Sequence, residues 1–344
     1  MSARALLLLL LASWALSEAG EAHNAQKEVD TAEEMAVFKD FMVTFNRSYG
    51  SDKELQQRFE IFQQNLARAR HLQATDQGTA QYGVTEFSDF TEEEFLGLQR
   101  SPKTMPSQTL PRVFNERLQK TCDWRKLGVA NNVKHQGLNC RSCWAFAAAS
   151  NIDSLWAIAG YPRNVSVQEL IDCDTCASRD GCNGAWVWDA FMTVLQRGGL
   201  SSANDYPYKG KKGTCKKRKG DAVAWIHDFA MLEKNETAMA EYVAFKGPIT
   251  VTINKTLLQN YKHGIAKPPA SQCSSVSEDH TVLLVGYGVL RYKRIPYWIL
   301  QNSWGPTWGE MGYFRMHRGS NTCGIAKYPV TAILDIATDA RCPQ

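Results

Sequence analysis

Residues 136–146, QGLNCRSCWAF, place two cysteines three apart ahead of a tryptophan and a short apolar run. A Cys-x-x-Cys can take zinc, shuttle electrons, or divide its duties, one sulfur bridging while the other acts as nucleophile. A second pair, Cys173-x-x-Cys176, keeps zinc open, since four thiolates make a tetrahedral site. For a nucleophile, Cys143 is the better placed: CWAFAAASNIDSLWAIAG is apolar nearly all round and predicts a buried helix beginning at Cys143. The N-terminal end of the helix dipole favours a thiolate in that first turn. Ser142 stands where an N-cap belongs and Gly160 where the helix should end. A thiolate doing acyl transfer needs an imidazole, and among seven histidines His280 opens a strand-like run, EDHTVLLVGYG. Asn302, in QNSWGPTWGEMGYFR, offers an oxygen to orient that imidazole, with Trp304 and Trp308 to cover it. Taken singly, His280 is equally an ordinary strand histidine and Asn302 an ordinary turn residue. The three in this order are harder to read blandly.

The surrounding chain sets the conditions for that chemistry. Met1 to Ala19 carries one early arginine, an apolar block of about 12 residues and then small residues, the pattern of a signal peptide over 1–19. No other apolar run reaches the roughly 18 residues that span a bilayer. Ten cysteines in an oxidising compartment argue for disulfides over zinc, so no metal and no organic cofactor is expected. Asn46, Asn164, Asn235 and Asn254 are Asn-x-Ser/Thr acceptors for glycans. A net charge of +4 over 344 residues gives no case for nucleic acid. The run KGKKGTCKKRKG, Lys209 to Gly220, is densely basic and suits either a solvated loop or an acidic partner.

Residues 20–112 form a charged, cysteine-free leader. Met35, Phe38, Phe41, Met42 and Phe45 predict one amphipathic helix, and Leu55, Phe59, Phe62, Leu66 and Ala69 a second. SPKTMPSQTLP, residues 101–111, has the composition of an extended linker open to proteases. The body, 113–344, is helical in its first half and strand-rich in its second, through ITVTIN, TVLLVGYG, PYWIL and GYFRMHR. This is an α+β chain of two lobes, and a cleft between lobes is a common place for an active site.

CDWRKLGV, CWAF, VQELIDC, GCNG, DYPYKG, GPITVTIN, DHTVLLVGYG and NSWGPTWGEMGYFR resemble segments of the papain family of cysteine proteases. The likeness runs over about 300 residues and implies the papain-like two-lobe fold, a helical left lobe beside a β-barrel-like right lobe, behind a helical inhibitory prodomain. It implies Cys143 as nucleophile, His280 as acid/base, Asn302 as orienting residue, Gln136 as oxyanion donor and Trp304 as shield. Glu54, Arg58, Phe62, Asn65, Ala69 and Gln73, with GVTEFSD at 83–89, resemble inhibitory prosegments of the branch holding cathepsins F and W. By position the family's bridges are Cys140–Cys182, Cys173–Cys215 and Cys273–Cys323. Cys122, Cys176 and Cys342 remain, with Cys122–Cys342 one further pairing left open.

The resemblance implies a monomeric zymogen that hydrolyses peptide bonds, answers to its own propeptide and to cystatin-type inhibitors, and resides in lysosome, endosome or endoplasmic reticulum or is secreted. Three departures favour the competing reading, a papain-fold protein that binds peptides without cutting them. The loop from Gln136 to Cys143 has one residue more than the family's. Arg141 stands where the family usually has glycine, on the wall of the S1 site, narrowing that site, favouring acidic residues there or straining the backbone. Ala185 follows Gly184 where a second glycine is usual. The S2 pocket should be small and apolar, with Trp186 and Val187 on its walls and Tyr328 at its base.

Overall fold

The computed structural model describes residues 31–96, 109–110, 118–130, 132–175, 181–275, 279–336 and 340–344. The signal segment, most of the 101–111 linker and Cys176 lie outside these. Two compact units emerge, one from residues up to Arg68 plus Glu86–Thr91, the other from Ala69–Thr85 plus Glu92 onward.

The first unit is built on aromatic packing. Helix α1, residues 31–44, and helix α2, Asp52–Thr75, share a buried cluster of Phe38, Phe41, Phe59 and Phe62. The Phe38 ring lies 5.1 Å from Phe62 and 5.4 Å from Phe59, in tilted contacts that add to area burial. Ser51 Oγ accepts from the Glu54 amide, satisfying one opening donor of α2, and the Glu54 carboxylate accepts from the Gly50 amide just ahead of the helix. The spaced polar residues of α2 then hold segment 86–91 by its backbone. Asn65 Nδ2 donates to the carbonyls of Ser88 and Phe90 at 2.9 and 2.8 Å, and Arg58 donates to that of Asp89. Arg47 reaches the Glu86 carbonyl at 2.6 Å and pairs with the Asp89 carboxylate at 3.3 Å. A buried amide is costly without partners, and these two carbonyls take both protons of the Asn65 amide.

The second unit holds all the disulfides. The chain continues through β1 (Gln81–Tyr82), α3 (Glu92–Leu96) and β2 (Cys122–Asp123) to helix α4, Cys143–Ile158. Gln73 closes the turn after α2, donating to the Ala80 carbonyl and accepting from the Tyr82 amide. Helices α5 (Val167–Cys173) and α6 (Val187–Arg197) complete the helical half, packing with α4 around Trp144, Ile152, Leu170, Phe191 and Val194, each fully covered. β3 (Asp228–Met231), α7 (Glu236–Phe245) and β4 (Ile249–Ile253) follow, then β5 (Tyr261–His263) and β6 (Ile265–Ala266). β7 (His280–Leu290), β8 (Ile295–Gln301), β9 (Tyr313–His317) and β10 (Val330–Ile333) finish the chain.

Seven strands take the order β3-β10-β4-β7-β8-β9-β6, with β2 added on β7. All these pairs are antiparallel except β6 with β9. β7 is central and buried over its first nine residues, which explains why TVLLVGYG does not alternate. A Cβ at Gly286 would meet the Cys122 carbonyl at 2.3 Å, so glycine is what admits β2 to that strand. The linker residues 109–110 are extended and pair with Met231, at the end of β3.

Cys122–Cys342, Cys140–Cys182, Cys173–Cys215 and Cys273–Cys323 are bridged, so the pairing left open for Cys122 and Cys342 is made. Cys143 is the free thiol among the described residues. Cys140 and Cys173 are committed to sulfur and unavailable to zinc.

The buried side chain of Asn151 hydrogen-bonds helix α4 to the sheet, beside the apolar packing of α4 on Val330 and Ala332. Asn151 donates to the Pro248 carbonyl at 2.8 Å and to Thr331 Oγ1 at 3.2 Å, and accepts from the Ala332 amide at 2.9 Å. Replacing Asn151 with Leu keeps the volume and strands these partners. We expect a loss of about 2–5 kcal/mol in urea unfolding of the full chain carrying Cys143→Ala; an unchanged midpoint would show that Asn151 does not join the two halves.

Candidate active site

Cys143 is the first residue of α4, where the opening N–H groups of a helix have no intrahelical acceptor. Ser142 occupies the N-cap position by its backbone, its carbonyl accepting from Ala145 and Phe146. Its side chain does not cap, contrary to the expectation from sequence. The hydroxyl is drawn off to the Cys140 carbonyl at 3.3 Å and Tyr208 Oη at 3.0 Å. The helix N-terminus therefore stays electrostatically open beside the thiol. The helix ends at Ile158 with Ala159 as its cap, and Gly160 follows at φ +88°. The amides of Thr281 and Trp144 both face the Cys143 sulfur, so the start of β7 stands against the start of α4.

His280 and Asn302 meet because β7 and β8 form an antiparallel pair that brings the start of one beside the end of the other. His280 Nε2 lies 2.7 Å from Asn302 Oδ1, and both residues are buried, at 2% and 3% exposure. The Ser303 amide donates to the same Oδ1 at 2.8 Å. A backbone N–H must find an acceptor, so the amide orientation is settled and Oδ1 faces the ring. The proton therefore sits on Nε2, leaving Nδ1 with its lone pair. Trp304 stacks on the imidazole, centroids 4.8 Å apart, and Trp308 meets Trp304 edge-on at 4.9 Å. Phe95 of α3 packs its ring edge-on against Trp304 at 5.7 Å.

Burial pushes the Cys143 thiol up, opposed by the two amides and the Lys255 ammonium. Burial, and then the same ammonium, lower the His280 imidazole to about 3, against the Asn302 hydrogen bond. Both groups are thereby held neutral in this state of the chain. Lys255 and Asp279 form a 3.4 Å ion pair immediately beside the site. Sequence reading passed over Lys255, because NKT at the end of a strand signals a glycan acceptor and a turn rather than a buried cation.

Gln136 is held at backbone and side chain. Its backbone N–H donates to the Ser303 carbonyl, its Oε1 accepts from Ser303 Oγ at 2.7 Å, and Nε2 donates to the Cys140 carbonyl at 3.3 Å. The surplus length swings outward: Gly137 takes φ +72° with open space around it, and Leu138 and Asn139 are exposed. Arg141 is not strained, since it stays out of the positive-φ region and donates its amide to the Cys182 carbonyl at 2.9 Å.

Gly184, at φ +87°, precedes Ala185, and beyond them Trp186 stacks flat on Trp188 at 4.7 Å. Trp186 also meets Tyr328 edge-on at 5.2 Å. Val187 is fully covered in the helical core and lines no open wall. Asn46, Asn164 and Asn235 are exposed. Asn254 is 7% exposed, with both side-chain atoms bonded to neighbouring backbone, and offers no accessible amide for a glycan once folded.

The family model for papain family cysteine proteases matches residues 118–333, and that for the cathepsin propeptide inhibitor domain matches 38–95. The chain is 48% identical to cathepsin W of Mus musculus, covering 96% of this chain and 94% of the relative. It is 42% identical to cathepsin F of the same organism, over 87% of this chain and 65% of the relative. Among solved structures, procathepsin L2 from Tenebrio molitor larval midgut superposes with a TM-score of 0.79 at 32% identity, over 88% of this chain and all of that one. Recombinant stem bromelain precursor gives a TM-score of 0.78 at 32% identity, over 88% and 99%.

A histidine in an unfolded chain titrates near 6.5. With the folded value at about 3, the unfolded chain binds more protons between these limits. The stability held by neutral His280 is therefore complete above about 6.5 and lost as pH falls towards 3. Unfolding free energies of the Cys143→Ala zymogen, measured from pH 7 to pH 4, should decline with acid more steeply than those of Cys143→Ala/His280→Asn, the difference approaching about 1.4 kcal/mol per pH unit. Parallel profiles would place the His280 imidazole in a far wetter setting.

Proposed function

The chain belongs to the papain family of cysteine proteases as a cathepsin-type zymogen with its propeptide, and from this we propose that Cys143, His280 and Asn302 hydrolyse peptide bonds through a thioester. The observation that carries the reading is the 2.7 Å contact of His280 Nε2 with Asn302 Oδ1, which leaves Nδ1 as the working nitrogen. Nδ1 takes the thiol proton as the Cys143 sulfur attacks the substrate carbonyl carbon. The same nitrogen returns that proton to the amine as the C–N bond breaks. Water, deprotonated by Nδ1, then attacks the thioester carbonyl and releases the acid and the thiol. Negative charge on the carbonyl oxygen in both steps is met by Gln136 Nε2 and the opening N–H of α4.

Latency follows from the electrostatics. With the thiol pushed up and the imidazole pushed down by burial, the ion pair that makes a reactive thiolate is disfavoured in this state of the chain. The bridged ends, the signal segment and the exposed acceptors Asn46, Asn164 and Asn235 suit passage through the secretory pathway, with a lysosome or the endoplasmic reticulum as destination. The protein acts as a monomer on peptide substrates, with its own propeptide and cystatin-type proteins as inhibitors.

Mild acid treatment of the zymogen followed by an irreversible epoxysuccinyl reagent should label Cys143 stoichiometrically, with loss of the leader, and Cys143→Ala should remain unlabelled. Gln136→Ala should lower kcat by about 10²–10³. A folded, processed protein that takes no label would move the function to peptide binding without cleavage.

A further inference from the structure

Lys255 is a buried cation that the catalytic cycle does not use. β4 runs antiparallel to β7 with Ile253 opposite His280, so the chain leaving β4 emerges beside the imidazole. Lys255, at 9% exposure, accordingly sits against the residue before the catalytic histidine. Its backbone amide donates to Asp279 Oδ1 at 3.1 Å, and its ammonium pairs with Asp279 Oδ2 at 3.4 Å. The third partner comes from the leader. Lys255 Nζ donates to the Leu96 carbonyl at 3.3 Å, at the end of α3, and lies 5.3 Å from the centre of the Phe95 ring. Asp279 Oδ2 accepts no hydrogen bond of good geometry. An ammonium has three protons to place; here one satisfies a leader carbonyl, and a leader ring covers the rest of the cation.

Removal of the leader takes away both the Leu96 carbonyl and the Phe95 ring. The ammonium is left at the wall of the cleft with one partner, at 3.4 Å, and unmet donors. The side of the cleft it occupies follows from the chemistry. The acyl half of a substrate becomes bonded to the Cys143 sulfur, whereas the amine departs past the imidazole that protonates it. Lys255, Asp279 and Trp304 flank that imidazole and so line the path of the departing segment.

Resting on the proteolytic reading above, we infer that Lys255 forms a cationic subsite for the leaving-group half of the substrate, selecting a carboxylate side chain at the first residue beyond the scissile bond. The carboxylate takes the place of the Leu96 carbonyl and turns a neutral acceptor into a charge-assisted one. Buried charge pairs reward the correct partner and penalise the wrong one. A lysine or arginine at that substrate position would set a second cation against Lys255.

The test compares two peptides identical except for Glu or Gln at that residue, on enzyme made by acid processing of the full zymogen. The ratio of kcat/KM for Glu over Gln should be about tenfold or more in the wild type. It should fall to one or below in Lys255→Met, where Asp279 faces the substrate alone, and return in Lys255→Arg. A ratio near one in the wild type, or one that Lys255→Met leaves unchanged, overturns the inference. Turnover of neither peptide would count against proteolysis instead, and the subsite is then decided by calorimetry. The Cys143→Ala zymogen, trimmed by an added acid protease, should bind the Glu peptide more tightly than the Gln peptide, and equal binding overturns the subsite.

Discussion

One hydrogen bond, between His280 and Asn302, organises much of this chain. An imidazole buried to this degree cannot hold its charge unaided, so one nitrogen must be given a permanent acceptor and the other left free. That requirement fixes the partnership of β7 and β8, because only their shared end brings the two side chains within reach. It also explains the aromatic roof, where Trp304, Trp308 and Phe95 keep competing water from the Oδ1 acceptor. The thiol comes from the other half of the domain, and Asn151 hydrogen-bonds that half to the sheet. A site assembled from a helix end and a strand start depends on such a fastening more than on either element alone.

The polar residues of the leader follow a related economy. Asn65, Arg58, Arg47 and Gln73 direct their hydrogen bonds largely to backbone carbonyls and amides of the segments they hold. Those bonds do not depend on the identity of the residues whose backbone is held, while the gripping residues must keep their spacing along the helix. A widely spaced motif is what such an arrangement leaves in a sequence. The loop ahead of Cys143 obeys the same logic: Gln136 is anchored at backbone and side chain by Ser303, so an added residue is expelled to solvent rather than passed to the site.

How much of this could be read beforehand depended on range. The aromatic stripes of the leader and the strands ITVTIN, TVLLVGYG, PYWIL and GYFRMHR were legible, since burial period and β-branching act locally. The Cys–His–Asn order and the bridges came from resemblance, not from spacing, because disulfide pairing is decided by tertiary proximity. Ser142 misled for a definite reason: its hydroxyl is taken by Tyr208, a residue no local rule connects to it. Val187 misled because a pocket wall and a core residue differ only in which way a helix is turned. Lys255 was invisible, since a lysine is normally solvated and only the register of β4 on β7 carries it beneath Phe95.

The bridge between Cys122 and Cys342 gives the catalytic portion an unusual topology. With Cα atoms 5.3 Å apart and a sequence separation of 220, these cysteines close the polypeptide into a covalent ring, supported by the Asp123 amide on the Pro343 carbonyl. A ring cut once is still a single molecule. An internal nick in an exposed loop would therefore release no fragment until the disulfide is reduced. The lifetime of the folded protein among other proteases becomes a property of the redox state around it as well as of its own stability.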